Sequence, residues 1–318
     1  MMDEPLGISP TNDFAYKKVF GSQANSLALI SLLNAILNLP CRIASVTIQN
    51  PFNYQDFYED KLSVLDIKAV DEAGAIYDVE MQIDAHIGLI QRLVFYGCEL
   101  YAGQLRSGDS YTDLKPVFAI CLLEGVIWPD SRRVHHAFRL VDQGSGRVLS
   151  NTIEFHILEM GWYNLSASEL ANANTLDRWL YWLMHAHEHT EEELLSLFPE
   201  AEFQQATETL VAIKEITEDK QMYDATEKAR RDRQWALNAK LAEGKIEGKI
   251  EGKIEGKIEG KIEGKIEGKI EGEIKLIRTL EGLLGRVPTE ESQLKNKELE
   301  ELQKITTELQ ALLRARIS

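Results

Sequence analysis

Positive charge is in short supply. The 318 residues include 51 Asp and Glu against 35 Lys and Arg, a formal net charge of −16, and the isoelectric point falls near 5.0. Bulk charge of this sign argues against tight non-specific binding to nucleic acid or to an anionic membrane. Any nucleic-acid chemistry therefore needs a local positive site and a metal. Cysteine is scarce too: Cys41, Cys98 and Cys121 make an odd number with no C-x-x-C spacing, which sets the expectation of a reduced, cytoplasmic setting. Long apolar runs are missing. The longest, around 117–128, is interrupted by Glu124 and is too short to span a bilayer. The opening MMDEPLGISPTND has neither a basic n-region nor an apolar h-region, so no signal peptide is expected. Core-forming residues are present in ordinary measure: 44% hydrophobic and 8% aromatic suffice for one sizeable domain with appendages.

The informative stretch is Lys61 to Gln82, KLSVLDIKAVDEAGAIYDVEMQ. Val64, Asp66 and Lys68 alternate with Leu65, Ile67 and Ala69; Ile76, Asp78, Glu80 and Gln82 alternate with Tyr77, Val79 and Met81. This period of two predicts two strands, each with one core face. Asp-Glu-Ala-Gly at 71–74 supplies the turn, with Gly74 free to take positive φ. The register nearest the turn sets Asp66 opposite Glu80, Lys68 opposite Asp78 and Val64 opposite Gln82. Opposed Cβ atoms lie about 4.5–5.5 Å apart, where like charges destabilise. Asp66 against Glu80 thus calls for a cation between them, and Mg²⁺, a hard ion held by carboxylates, suits the pair. Asp78, offset by Lys68, reads as structural. The bland reading of the acids is a solvated sheet face.

Around this hairpin stand TNDFAYKKVFG at 11–21, LD at 65–66, VEMQ at 79–82, QRLVFYGCELYAGQL at 91–105 and GDSYTDLKP at 108–116. As an ordered set they resemble the nucleases with the PD-(D/E)XK signature. More closely, they resemble the Rpn-type recombination-promoting nucleases, also called PD-(D/E)XK family transposases. The likeness covers roughly residues 8 to 165. It implies an α/β fold with a restriction-endonuclease-like core, a mixed sheet flanked by helices. It also implies a Mg²⁺-dependent DNA endonuclease linked to recombination or mobile elements. Asp66 and Glu80 would be the metal and catalytic acids, Asp13 a helix acid assisting the metal, and Arg92 and Tyr96 groups near the phosphate. Two departures stand out: no Pro precedes the first Asp, and Gln82 replaces the usual Lys, so hydrogen bonding would orient water where charge otherwise does.

Other readings of these residues are plainer. Thr11 or Asn12 can cap a helix through Lys18, stopped by Gly21, with Asp13 favouring the positive end of the helix dipole. Lys17 and Lys18 can meet phosphate or face solvent. A second helix carries Leu27, Ile30, Leu33, Ile36 and Leu37 as one apolar stripe. Strands are expected at 42–49, 116–123, 136–141 and 152–158, the second apolar on both faces and so suited to a sheet centre. Between them, 86–106 has helical periodicity, with Arg92, Tyr96 and Glu99 on one face. Pairing of Arg92 with Glu99 or Asp84 would be the structural use of that arginine.

Beyond residue 165 the pattern turns helical. His185-Ala-His-Glu188-His189 matches the H-x-x-E-H spacing of some zinc peptidases, and Thr190-x-x-Glu193 fits a capping box. From Lys245 to Gly272, Lys-Ile-Glu-Gly repeats seven times in tandem. Four residues turn about 400° on a helix, so the Ile line winds around it; like charges meet at i, i+4 and each Gly costs about 1 kcal/mol against Ala. The repeat is expected to be a marginal helix or semi-flexible spacer that orders on self-association. Leu294, Leu299, Leu302, Ile305, Leu309 and Leu312 then form a stripe that a two-helix unit is not expected to bury alone, which points to a homo-oligomer. The expected domains are a nuclease-like core at 1–165, a helical extension at 166–240, a spacer at 241–275 and an oligomerisation module at 276–318. A non-catalytic binding or assembly protein that keeps the nuclease fold is the alternative from another class.

Overall fold

The hairpin forms as its alternation and turn dictate. In the computed structural model, which describes residues 4–54, 66–150 and 152–317, β2 (Ile67–Asp71) and β3 (Ile76–Gln82) pair antiparallel with Lys68 opposite Asp78 and Ile67 opposite Val79. That is the expected register. Gly74 takes φ +87°, and the Asp71 carboxylate accepts the amides of Ala73 and Ala75, tying the turn to the strand it leaves. Val64 and Leu65 lie outside the described residues.

Among the described residues, β1 (Val46–Ile48), β4 (Val117–Leu123), β5 (His135–Phe138) and β6 (Ile153–Glu159) join the hairpin in one mixed six-stranded sheet, in the order β1-β2-β3-β4-β6-β5. β4 and β6 run parallel to β3 in succession, while β1 and β5 pair antiparallel at the edges. β4 is buried at every residue, as a parallel strand covered on both faces must be. β1 and β5 are shorter than the stretches expected for them.

The two faces of the sheet carry different cores. Ile67, Ala69, Tyr77, Val79, Phe118, Ile120 and Leu122 face α1 (Asp13–Phe20), α2 (Ser26–Leu37) and the later helices α4 (Thr175–His185), α5 (Glu191–Leu197) and α6 (Ala201–Glu215). On the opposite face Ala119, Cys121 and Ile157 meet Leu89 and Leu93 of α3 (Leu89–Ala102). Here Gly97 permits close approach: a Cβ at that position would stand 2.8 Å from the Phe155 ring. In α2 the buried stripe is Ala28, Leu29, Leu32, Leu33 and Ile36. Leu27, expected on it, is 51% exposed, one position off that face.

The boundary expected at residue 165 is not a break in packing. Trp179 and Trp182 of α4 are fully buried in the same core as Phe14 and Phe20 of α1, and the Trp179 indole N–H donates to Ser31 of α2 at 3.1 Å. The apolar faces of α1 and α2 need a cover, and the later helices supply it. Contacts instead divide the chain into residues 1–231 and 232–318.

A single helix, α7 (Thr217–Leu283), runs through the whole repeat. The expected marginal spacer is thus helical throughout. The physical reason is nucleation: packed turns on either side of the repeat, at Tyr223 and at Ile274–Leu280, fix the costly first turns, and propagation needs only one bond per residue. In the second unit, Ile274, Ile277 and Leu280 pack with Leu294 of α8 (Glu291–Lys295) and Leu302 and Leu309 of α9 (Leu299–Ile317). The tail therefore buries most of its own stripe, and the expectation that a second chain is needed to cover it does not hold. Among the described residues no single helix is long and apolar enough to cross a membrane.

Candidate active site

The site is assembled from the open ends of β2 and β3, the start of α1 and the first turn of α3. Asn12 caps α1, its side-chain oxygen accepting the amides of Phe14 and Ala15. That cap fixes Asp13 and Lys17 one turn apart, 3.5 Å between carboxylate and ammonium. The same Lys17 Nζ is 3.4 Å from Asp66 Oδ1, so the lysine bridges the helix acid and the strand acid. Asp66 stands one residue ahead of β2, on the line that continues the register to Glu80. Its second oxygen accepts the Met81 amide at 2.8 Å.

Glu80, in the middle of β3, is 1% exposed. One carboxylate oxygen accepts from Arg92 Nη2 at 3.0 Å and from the Gln82 amide at 3.5 Å; the other has no hydrogen-bond partner among the described residues. Arg92 comes from the first turn of α3, where the chain leaves Gly88 at φ +91°. The surface pairing of Arg92 with Glu99 or Asp84 is therefore replaced by an inward contact with Glu80. Tyr96, one turn on, packs edge-on to Phe95 and makes no hydrogen bond to either acid. Lys18 is not free to meet phosphate: it pairs with Asp219, donates to the Tyr54 hydroxyl at 2.8 Å and lies among the rings of Phe14, Phe52 and Tyr54.

Asp78 departs most from the sequence reading. Lys68 stands opposite it, yet Asp78 is fully buried and neither carboxylate oxygen has a hydrogen-bond partner among the described residues. Burial, then the charges of Glu80 and Asp66, push its carboxyl up to about 8, outweighing the pull of Lys68. Burial also lifts Asp66 to about 6, with Asp13 and Glu80 adding and Lys17 opposing. The buried thiol of Cys121, paired with Glu80 across β3 and β4, is pushed up to about 12 and is inert as a nucleophile. Asp78 was findable: the alternation D-x-E-x-Q already places it on the face of Glu80 and Gln82.

These features suit a hard divalent cation. The donors are carboxylate oxygens, the acids repel one another away from water, and three buried carboxylate oxygens lack a donor. As they stand, no three His, Cys, Asp or Glu side chains among the described residues are gathered to hold an ion; Lys17 and Arg92 engage the acids instead.

The H-x-x-E-H stretch does not form a zinc-binding helix face. α4 ends at His185, Ala186–Glu188 is a 3₁₀ turn and His189 is extended. His185 pairs with Glu188 at 3.1 Å and His189 with the Tyr181 hydroxyl at 3.0 Å.

A mixed sheet flanked by helices, with acids on neighbouring strands at its open end and basic side chains from two helices, defines an α/β protein of the nuclease type. The chain belongs to the PD-(D/E)XK nuclease family transposases, whose family pattern matches residues 10–240. The match runs through the helices beyond residue 165, which agrees with their shared core. No curated protein and no solved structure matches the chain.

Proposed function

We propose that this protein is a Mg²⁺-dependent DNA endonuclease that hydrolyses phosphodiester bonds in recombination or in the movement of mobile elements. The observation that carries the reading is the pair of acids, Glu80 buried on β3 and Asp66 half-buried just ahead of β2, with Arg92 and Lys17 against them. Asp66 and Glu80 are the residues to hold the ion, with Asp13 beside them through Lys17. A divalent ion there supplies Lewis-acid chemistry at the phosphodiester. The chain's own part is positional. The Gln82 amide, within reach of Glu80, orients water by hydrogen bonding. Lys17 and Arg92 meet the phosphate, the arginine with a planar fork suited to it, and Tyr96 lines the approach from α3.

Plasmid nicking with Mg²⁺ tests this directly. Wild type is expected to nick, and Asp66→Ala and Glu80→Ala to lose about 100-fold or more. Equal activity in all three proteins overturns the reading. Gln82 in the usual Lys position favours a second reading, a binding or assembly protein on the nuclease fold; it expects duplex binding by wild type without nicking.

The proposal places the protein in the cytoplasm, on the strength of its sparse cysteines. It also includes a homo-oligomer formed through the C-terminal part of the chain. Support for the oligomer is the Ile row of the repeat, half-exposed from Ile246 to Ile266, on a helix whose 4-residue period favours right-handed winding around a second strand.

A further inference from the structure

The protein makes tight ion pairs where it uses them for architecture. Arg178 forks onto Glu200, with Nη2 to Oε2 at 2.8 Å, Nη1 to Oε1, and a further bond from Nη2 to the Leu197 carbonyl at 3.1 Å. Lys18 is held by Asp219, a tyrosine hydroxyl and three rings. Arg92 at the candidate site is held differently. It touches Glu80 through one nitrogen at 3.0 Å, while the second Glu80 oxygen has no hydrogen-bond partner among the described residues. Arg92 is 39% exposed at its side chain while Glu80 is buried. The arginine can therefore swing outward and the glutamate cannot follow it.

We infer that Arg92 is a place-holding cation. It neutralises Glu80 while the ion is absent, and on its arrival is released from the acid to the DNA phosphate. This rests on the ion-site reading above and adds its regulation: ion and substrate load in a coupled order, because one departure makes room for the metal and frees a phosphate ligand. An unneutralised buried Glu80 would be costly, and a fork-like pair would compete too well with the ion. A single-point contact satisfies both demands.

The test uses the full chain and Mn²⁺ alone as the probe, titrated by calorimetry and by the electron paramagnetic resonance of free Mn²⁺. Arg92→Met keeps length and loses charge. It is expected to tighten Mn²⁺ binding without DNA by about tenfold, since a competing cation within contact distance is removed. Its affinity for a short duplex in Ca²⁺ is expected to fall. Opposite signs for the two ligands are what a merely structural arginine would not produce. Arg92→Gln is the second arm, with the same expected signs, and decides the matter if Arg92→Met does not fold. Mn²⁺ affinity that is unchanged or weaker, or duplex affinity that does not fall, overturns the inference. Glu80→Gln separates the two levels: if it loses Mn²⁺ while Arg92→Met gains nothing, only the place-holder idea fails; if it binds Mn²⁺ as wild type does, or no chain binds it, the ion site fails as well.

Discussion

Single side chains in this protein divide between those a period-two pattern can place and those it cannot. Asp66, Glu80 and Gln82 were legible because alternation fixes a face and the turn fixes a register. The cationic partners were not: Lys17 and Arg92 come from helices whose docking on the sheet is a long-range matter. His156 is a second case. Its Nδ1 lies 2.9 Å from His135 Nε2, and its other face meets Glu154, itself paired with Arg139. Burial, then His135 and Arg139, depress it to about 4. An unfolded histidine takes its proton near pH 6.5, so between about 6.5 and 4 the unfolded chain binds more protons and stability falls as pH falls. His156→Gln removes that term. Thermal melts are expected to show a Tm difference between wild type and variant that changes in the variant's favour as pH drops from 7 to about 4; a constant difference refutes the assignment.

Among the elements, α3 and α7 show the same residue type under opposite demands. In α3, Gly97→Ala gains about 1 kcal/mol of helix propensity but drives a methyl into the Phe155 ring, an overpacking cost of about 1–3 kcal/mol. The close contact at 2.8 Å decides the sign: the variant is expected to melt lower, and because α3 carries Arg92, to weaken duplex binding with it. In α7, Gly256 and Gly260 have open space where a Cβ would stand. Replacing both by Ala is expected to stabilise the helix by about 1 kcal/mol each, read as increased helical circular dichroism on heating. The repeat alone has too little propensity to predict this helix; packed turns on both sides nucleate it.

For the whole molecule, the division falls at residues 231 and 232 rather than at 165. The reason lies in α1 and α2, which carry too much apolar surface for the sheet face alone and draw α4–α6 into one core. The proposed self-association belongs to this scale as well. Because the tail stripe is largely covered within the chain, the exposed Ile row is its candidate surface. Ile254→Lys with Ile262→Lys is expected to lower the sedimentation coefficient of the full chain, while substitutions at the buried Leu302 should act through stability instead. A chain ending at Lys240 with unchanged oligomer size would remove the C-terminal part from the assembly.

Sequence alone determined the hairpin, its register, the acidic pair and the kinship, because each depends on spacing within a few residues or on an ordered set of short motifs. Tertiary structure decided the rest: that Asp78 is buried without a partner, that the acids are met by Lys17 and Arg92, and that the later helices share the nuclease core. Those facts depend on which distant surfaces are brought together to exclude water, and no local period encodes that choice.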